Sequence, residues 1–298
     1  MEALQSIDLD IGRGEIIGIV GPSGAGKTTA IRLLLGLYEP SSGDVSVFGK
    51  PPGKFNRPDR ERIGYLPQQF LLYNDLTVRE NLLFAAGMYG LGPRVRRRRI
   101  DVLLERLVLD DAKDRLARNI SGGMQRRTAL AATLIHQPEL IVLDEPTAGL
   151  DPVLRESIWQ MFDELRQDGA TLVVTTQYIT ETEHCDRIIL INDGVVVASD
   201  SPDGLRDHVY GGELVRLKSG ALNADLAETL KTLEFVRDGR RTAVDEMELV
   251  VDSAHAAIPR LISEMTDRGF EIEEIEEIQI SLDRVFVELV QRSPGARV

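Results

Sequence analysis

A nine-residue run, Gly21-Pro22-Ser23-Gly24-Ala25-Gly26-Lys27-Thr28-Thr29, fits the pattern GxxxxGK[ST]. Glycines at these places let backbone N–H groups curl around phosphate oxygens, and a helix starting at the lysine adds the positive end of its dipole. Lys27 would then reach the β- and γ-phosphates of a nucleotide, and the Thr28 hydroxyl would ligate Mg2+. A second group ends an aliphatic run, Leu140-Ile141-Val142-Leu143-Asp144-Glu145. At the carboxyl edge of a parallel sheet these two carboxylates stand beside such a loop. Asp144 is placed to hold Mg2+ through its water shell, and Glu145 to polarise an attacking water. A third group is Asn119-Ile120-Ser121-Gly122-Gly123. Ser121 reads as a helix N-cap, and the two glycines expose N–H groups at the helix start, which makes a second anion site. Two such sites are more than the phosphates of one nucleotide need. Both are used if two chains meet head to tail, each helix start closing the other chain's nucleotide.

These groups need a scaffold of alternating strands and helices, and the first 210 residues supply the pattern. Strands are expected over 15–20, 63–66, 140–143, 172–175 and 188–191, several apolar on both faces as a parallel sheet requires. Amphipathic stretches near 27–37, 77–89, 97–109, 122–136, 152–168 and 178–185 lie between them. Turn signals fall at Pro40-Ser41-Ser42-Gly43, Pro51-Pro52-Gly53, Asp168-Gly169 and Asp193-Gly194. The rhythm changes around Gly211-Gly212, which divides the chain into 1–212 and 213–298. The second part reads as a small α+β domain: a strand, a helix over 224–233, strands over 235–237 and 248–251, a helix over 256–268, a strand over 270–274 and a terminal helix over 281–291. It holds no recognisable catalytic cluster.

Composition narrows the class further. The chain has 298 residues, 43% of them hydrophobic, and a formal net charge of −13. Its last 86 residues carry 18 acidic and 11 basic side chains, a net −7. This acidic balance argues against nonspecific nucleic-acid binding, since the phosphate backbone would be repelled. No uncharged apolar run approaches the roughly 18 residues that span a bilayer. The start, MEALQSIDLDIGRGE, lacks the basic-then-apolar layout of a signal peptide. The single cysteine, Cys185, excludes an intrachain disulfide and a multi-cysteine zinc site, and is expected to be a small core residue. Arg94, Arg96, Arg97, Arg98 and Arg99 form a basic run read as a solvated helix start, with contact to acidic lipid or partner residues as the alternative. Glu271, Glu273, Glu274, Glu276 and Glu277 are expected to line a solvated edge.

In order and spacing these motifs resemble the ATP-binding subunits of ABC transporters, over residues 3 to about 209. The resemblance includes Gln68 after Ile63-Gly64-Tyr65-Leu66-Pro67, and Pro146-Thr147 with Gly149-Leu150-Asp151 after Asp144-Glu145. It implies a phosphate-loop ATPase cassette, with a RecA-like α/β core and a helical subdomain near 70–130 on which a membrane partner docks. It also implies that Gln68 senses Mg2+ and water, and that Asp151 belongs to a loop communicating across the dimer. Ser121-Gly122-Gly123-Met124, Leu134-Ile135-His136-Gln137-Pro138 and Cys185-Asp186-Arg187 look like the drug-resistance ATPases of the ABC-2 exporter type. The tail Ile280-Ser281-Leu282-Asp283-Arg284-Val285-Phe286 is similar to the end of their C-terminal accessory domain, which supports the dimer. The expected function is ATP hydrolysis energising export through a separate ABC-2 permease, at the cytoplasmic face of the membrane. ATP and Mg2+ are the expected cofactors, and a second copy or a related cassette is the expected partner, with no nucleic acid. Two other readings stay open: a nucleotide-responsive module with little turnover, and a soluble ABC ATPase of translation or DNA maintenance.

Two positions depart from the family. Gln177 follows Val173-Val174-Thr175-Thr176, where the family has histidine. Its amide can donate a hydrogen bond to a γ-phosphate but carries neither proton nor charge. The 20 residues before Gly21 contain no Phe, Tyr or Trp to stack on adenine, so weak selection of the base is expected. The Gln177 departure implies a slower but active ATPase. Gln177→His should therefore raise ATP turnover, measured as phosphate release, and an unchanged rate would remove the amide as the cause.

Overall fold

The computed structural model describes residues 3–5, 7–69 and 72–292. Met1, Glu2 and Ser6 of the acidic start, and Phe70 and Leu71 of the expected helical subdomain, lie outside the described residues. The chain divides into two compact units between Ser201 and Pro202.

The first unit is built on six strands: β1 (Ile16–Val20), β2 (Ile63–Leu66), β3 (Leu140–Asp144), β4 (Thr171–Thr176), β5 (Arg187–Asn192) and β6 (Val195–Asp200). They lie in the order β2-β3-β4-β1-β5-β6. β6 runs antiparallel to β5, and the other pairs are parallel. β1, β3 and β4 are buried along their whole length, as their largely apolar sequences suit central strands. Their register places the site. Val20 pairs with Thr176, Asp144 with Thr175 and Leu66 with Leu143. The segments leaving β1, β2, β3 and β4 therefore emerge at one sheet edge, carrying Gly21, Gln68, Glu145 and Gln177.

Among the described residues this unit has six α-helices: α1 (Lys27–Leu34), α2 (Arg57–Glu61), α3 (Val78–Met88), α4 (Pro93–Arg106), α5 (Gly122–Leu134) and α6 (Pro152–Gln167). Sequence signals fix several starts. Thr77 and Glu80 form a reciprocal capping box at α3, Ser121 caps α5, and Asp151 caps α6 ahead of Pro152. α3, α4 and α5 pack on one another around Val78, Leu82, Ile100, Leu104 and Leu130, all buried. Cys185 is buried against Gly18, where a β-carbon would come within 2.8 Å of its sulfur.

The second unit begins with α7 (Pro202–Tyr210). It continues with β7 (Glu213–Lys218), α8 (Ala224–Lys231), β8 (Val236–Arg241), β9 (Glu246–Val251), α9 (Ala254–Asp267), β10 (Glu274–Ile278) and α10 (Leu282–Arg292). Its antiparallel sheet has the order β10-β7-β9-β8. α8 and α9 close a core of Leu217, Leu230, Met247, Leu249, Leu261 and Met265. Glu248, between Met247 and Leu249, must point to the other face. There Arg284 of α10 grips it with two hydrogen bonds of 3.0 and 2.6 Å, and Arg240 adds a third at 3.3 Å.

Several elements differ from expectation. The boundary expected at 212 moves to Ser201/Pro202, because α7 packs against α10 and so groups with the second unit. The Asp193-Gly194 turn leads into an unanticipated strand, β6, whose half-exposed polar end suits a sheet edge. The stretch 178–185 forms a 3-10 helix, Ile179–His184, instead of an α-helix, because Glu181 turns inward to the hydroxyls of Thr147 and Thr176. The strand expected over 270–274 lies later, at β10, because the Phe270 N–H is used to close α9 on Met265 O at 2.9 Å. The acidic run is only partly a free edge. Glu276 pairs with Arg216 at 3.0 Å, and Glu273 accepts from the Gly220 N–H. The arginine run is likewise split: Arg96 donates to Leu91 O, and Arg99 to Ile135 O and Gln137.

Burial raises the pKa of Glu248, but hydrogen bonds and charge from Arg284 and Arg240 outweigh it and hold the carboxyl below its ordinary 4.5. A depressed pKa stabilises the fold above about pH 4.5, and the gain is lost as pH falls through the lower native value. Glu248→Gln should lower the melting midpoint by on the order of 5 °C at neutral pH. The gap to the wild type should close in acid, and a gap independent of pH would exclude the pairing as its source.

Candidate active site

β1 runs directly into the loop 21–26, and that path requires glycine. A β-carbon on Gly21 would stand 2.0 Å from Ile191 O. Gly24 and Gly26 adopt φ of +83° and +110°, a region that side chains avoid. Gly26 caps α1 without a side chain, so the first N–H groups of that helix face the loop. Ala25 is buried beneath, Pro22, Ser23 and Gly24 lie at the surface, and Thr29 is half-buried. Lys27 is buried and folds over the loop, its Nζ donating to Gly21 O at 2.6 Å and Pro22 O at 3.0 Å. Burial lowers its pKa against the opposing charges of Glu145 and Asp144.

Asp144, a residue only 2% exposed, ends β3. Thr28 donates to Oδ2 at 3.3 Å, and Thr175 to Oδ1 at 2.5 Å. A hydroxyl and a carboxylate this close are the hard oxygen donors that Mg2+ accepts, so the residues present fit that ion. The next residue, Glu145, has φ of +53°, a strained backbone for a glutamate. Its N–H is held by the main-chain and side-chain oxygens of Thr175, both at 3.1 Å. The strained turn aims the carboxylate between two amides. Gln177 Nε2 donates to Oε1 at 2.5 Å, and Gln68 Nε2 donates to Oε2 at 3.2 Å. Beside it opens a cavity of about 200 Å3 lined by Glu145, Thr147, Ala148, Thr176, Gln177 and Tyr178.

The structure thus brings Lys27, Thr28, Gln68, Asp144, Glu145 and Gln177 to one edge. It places Ser121, Gly122, Gly123 and Asp151 differently. Ser121 accepts from the Met124 N–H at 3.3 Å, and Asp151 from the Leu154 N–H at 3.0 Å, so both cap their own helices. Gly123 lies against Leu150, where a β-carbon would come within 3.3 Å of Leu150 Cδ2. Gly122 has open space beside it.

Arg126 is a site residue that the motifs did not reveal. From the first turns of α5 its guanidinium donates to Glu145 O and, at 3.0 Å, to Gln68 O. Burial lowers its pKa, opposed by the charges of Glu145 and Asp144. Thr175, which donates to the Asp144 carboxylate and accepts from the Glu145 N–H, is a second. Neither stands out by type, and their partners lie between 19 and 58 positions away.

The parallel sheet with its glycine loop, buried lysine and paired carboxylates at one edge defines a nucleoside-triphosphatase of the phosphate-loop class. The family model described as ABC transporter matches residues 4–148. The chain is 33% identical to the linearmycin resistance ATP-binding protein LnrL of Bacillus subtilis (strain 168), over 97% of this chain and 94% of that protein. It is 38% identical to the daunorubicin resistance ATP-binding protein DrrA2 of Streptomyces coeruleorubidus, over 96% and 90%. Among solved structures, an ATP-binding subunit of an ABC transporter superimposes with a TM-score of 0.64 at 29% identity, covering 69% of this chain and 86% of that one. The dimeric cassette MJ0796 bound to ADP and Pi gives 0.61 at 31%, covering 67% and 90%. The chain belongs to the ABC transporter family, as an ATP-binding subunit with ATPase activity.

The loop geometry makes a steric demand. Gly21→Ala should weaken ATP binding by roughly tenfold or more and lower the melting midpoint, because the added carbon must displace the Ile191 carbonyl. A nucleotide titration that returns the wild-type affinity would show that the loop can shift without loss.

Proposed function

We propose that this chain is the energising subunit of an ABC-2-type exporter, hydrolysing ATP to drive a separate membrane permease. The N–H groups of 21–26 and the start of α1 hold the phosphates, with Lys27 supplying charge to the β- and γ-phosphates. Thr28, Asp144 and Gln68 would hold Mg2+, which would supply positive charge to the phosphate oxygens. Glu145 orients a water and accepts its proton as the water oxygen attacks the γ-phosphorus. The bond to the β,γ-bridging oxygen breaks, and ADP leaves with that electron pair. Gln177 and Gln68 fix the carboxylate for this role; neither amide can take the proton.

The observation that carries the reading is the Glu145 carboxylate gripped by two amides next to a buried Asp144. Two copies would pair head to tail, so that 121–123 and Asp151 of each serve the nucleotide of the other. Support comes from the position of 121–123 at the uncovered start of α5, and from the dimeric state of the similar cassette MJ0796. The drug-resistance names of the relatives support export, and in this reading the chain works at the cytoplasmic face of the membrane. No helix among the described residues is long and apolar enough to cross a membrane, which is compatible with a permease on another chain. Residues 1–201 serve as the cassette and the second unit as an accessory domain of the dimer.

Glu145→Gln should bind ATP with wild-type affinity, remain dimeric in its presence and lose turnover by about a hundredfold or more. Gel filtration with ATP and a phosphate-release assay check both parts. Retained hydrolysis would take Glu145 out of its role.

A further inference from the structure

Behind the site, away from the phosphate loop, lies an ion pair that the reaction scheme does not use. Glu181, in the 3-10 helix Ile179–His184, is 3% exposed. Its Oε1 accepts from the Thr147 hydroxyl at 2.7 Å, and its Oε2 from the Thr176 hydroxyl at 2.6 Å. Thr147 lies two residues after Glu145, and Thr176 immediately precedes Gln177. One carboxylate therefore pins both segments whose side chains meet at 2.5 Å in the Gln177–Glu145 hydrogen bond. The countercharge is Arg155 of α6, with Nε 3.2 Å from Glu181 Oε1, a charge contact off the hydrogen-bonding line. Arg155 Nη2 donates to Leu150 O at 3.3 Å, and its guanidinium lies over the Tyr178 ring, 4.2 Å from the centroid. Leu150 precedes the Asp151 cap, and Tyr178 follows Gln177.

We infer that Glu181, together with Arg155, is a positioning residue for hydrolysis, holding Gln177 against Glu145 and tying both to the Asp151 turn. The carboxylate of Glu181 is taken up by Thr147, Thr176 and Arg155, so its part is to position and not to transfer a proton. A buried carboxylate with two hydroxyl donors and one guanidinium has few ways to rearrange, so the three segments it joins are fixed together. Dislocating a catalytic group by a fraction of an ångström lowers the rate, whereas the phosphate loop, built on β1 and α1, keeps its shape and its hold on ATP. The signature of such a residue is a fall in kcat at constant KM. A residue serving stability alone would leave kcat of the folded enzyme untouched, or would lower ATP affinity along with it.

The inference rests on Glu145 being the base, and the experiment separates the two. Turnover is measured over a range of Mg-ATP concentrations on the full chain and its variants. Glu181→Gln should lower kcat by about tenfold or more with KM within about twofold. Arg155→Met should act in the same direction, and the double variant should be no slower than Glu181→Gln alone, since both break one unit. A Glu181→Gln kcat within about twofold of wild type, or kcat and ATP affinity falling together, overturns the inference. If Glu181→Gln does not fold, Thr147→Val decides: it keeps volume and removes one donor, and should lower kcat about threefold at unchanged KM. An unchanged Thr147→Val kcat overturns the inference. An inactive Glu145→Gln beside a fully active Glu181→Gln defeats this inference alone, whereas an active Glu145→Gln defeats the reading on which it rests.

Discussion

Asp144 carries a carboxylate almost wholly removed from water, and the first unit is arranged so that this charge is met. Leaving such a group unpaired would cost several kcal/mol, comparable with the whole stability of a domain. Its two oxygens are satisfied by Thr28 at the start of α1 and Thr175 near the end of β4, so one side chain joins the phosphate loop, β3 and β4. Thr175 is used twice, since its backbone and side chain also hold the N–H of Glu145 in its left-handed turn. The strain at Glu145 persists because the pairing around Asp144 leaves the chain no relaxed alternative. Lys27 fits the same logic: a buried cation close to two carboxylates that oppose the loss of its charge.

The part of this design legible in the sequence is the part written in consecutive residues. The glycine loop, the aliphatic run ending in Asp144-Glu145, and the Ser121 cap each state their local geometry in a few letters. The parallel core could be read because strands buried on both faces need unbroken apolar runs. What escaped was set by partners remote in the chain. Arg126 is one arginine among many until its guanidinium is seen on the carbonyls of Glu145 and Gln68. Glu181 looked like the polar side of an amphipathic helix, yet it is buried because Thr147 and Thr176 wait for it inside. In the second unit, helix closure at Phe270 displaced a strand that composition alone located a few residues too early.

Gln177 illustrates how a departure from a family pattern acquires meaning only in three dimensions. Read from the sequence, its amide faced a phosphate. In the folded chain it donates to the carboxylate of Glu145. Gln68 donates to the other oxygen, so the Glu145 carboxylate is flanked by two donors that carry no charge of their own. With Arg126 binding the backbone of both Gln68 and Glu145, the start of α5 is tied directly to the turn that carries the Glu145 carboxylate.

The packing of Cys185 has a practical side. It is the chain's only thiol, it lies against Gly18 beneath the sheet, and burial lifts its pKa far above the range in which thiolates form at neutral pH. Burial and a raised pKa both slow the reaction of this thiol with maleimides and disulfide reagents while the chain is folded. A cysteine introduced on the surface, at the start of α5 or beside the phosphate loop, would be the one reactive handle. Spectroscopic labels could then follow how two cassettes approach and part on an otherwise native background.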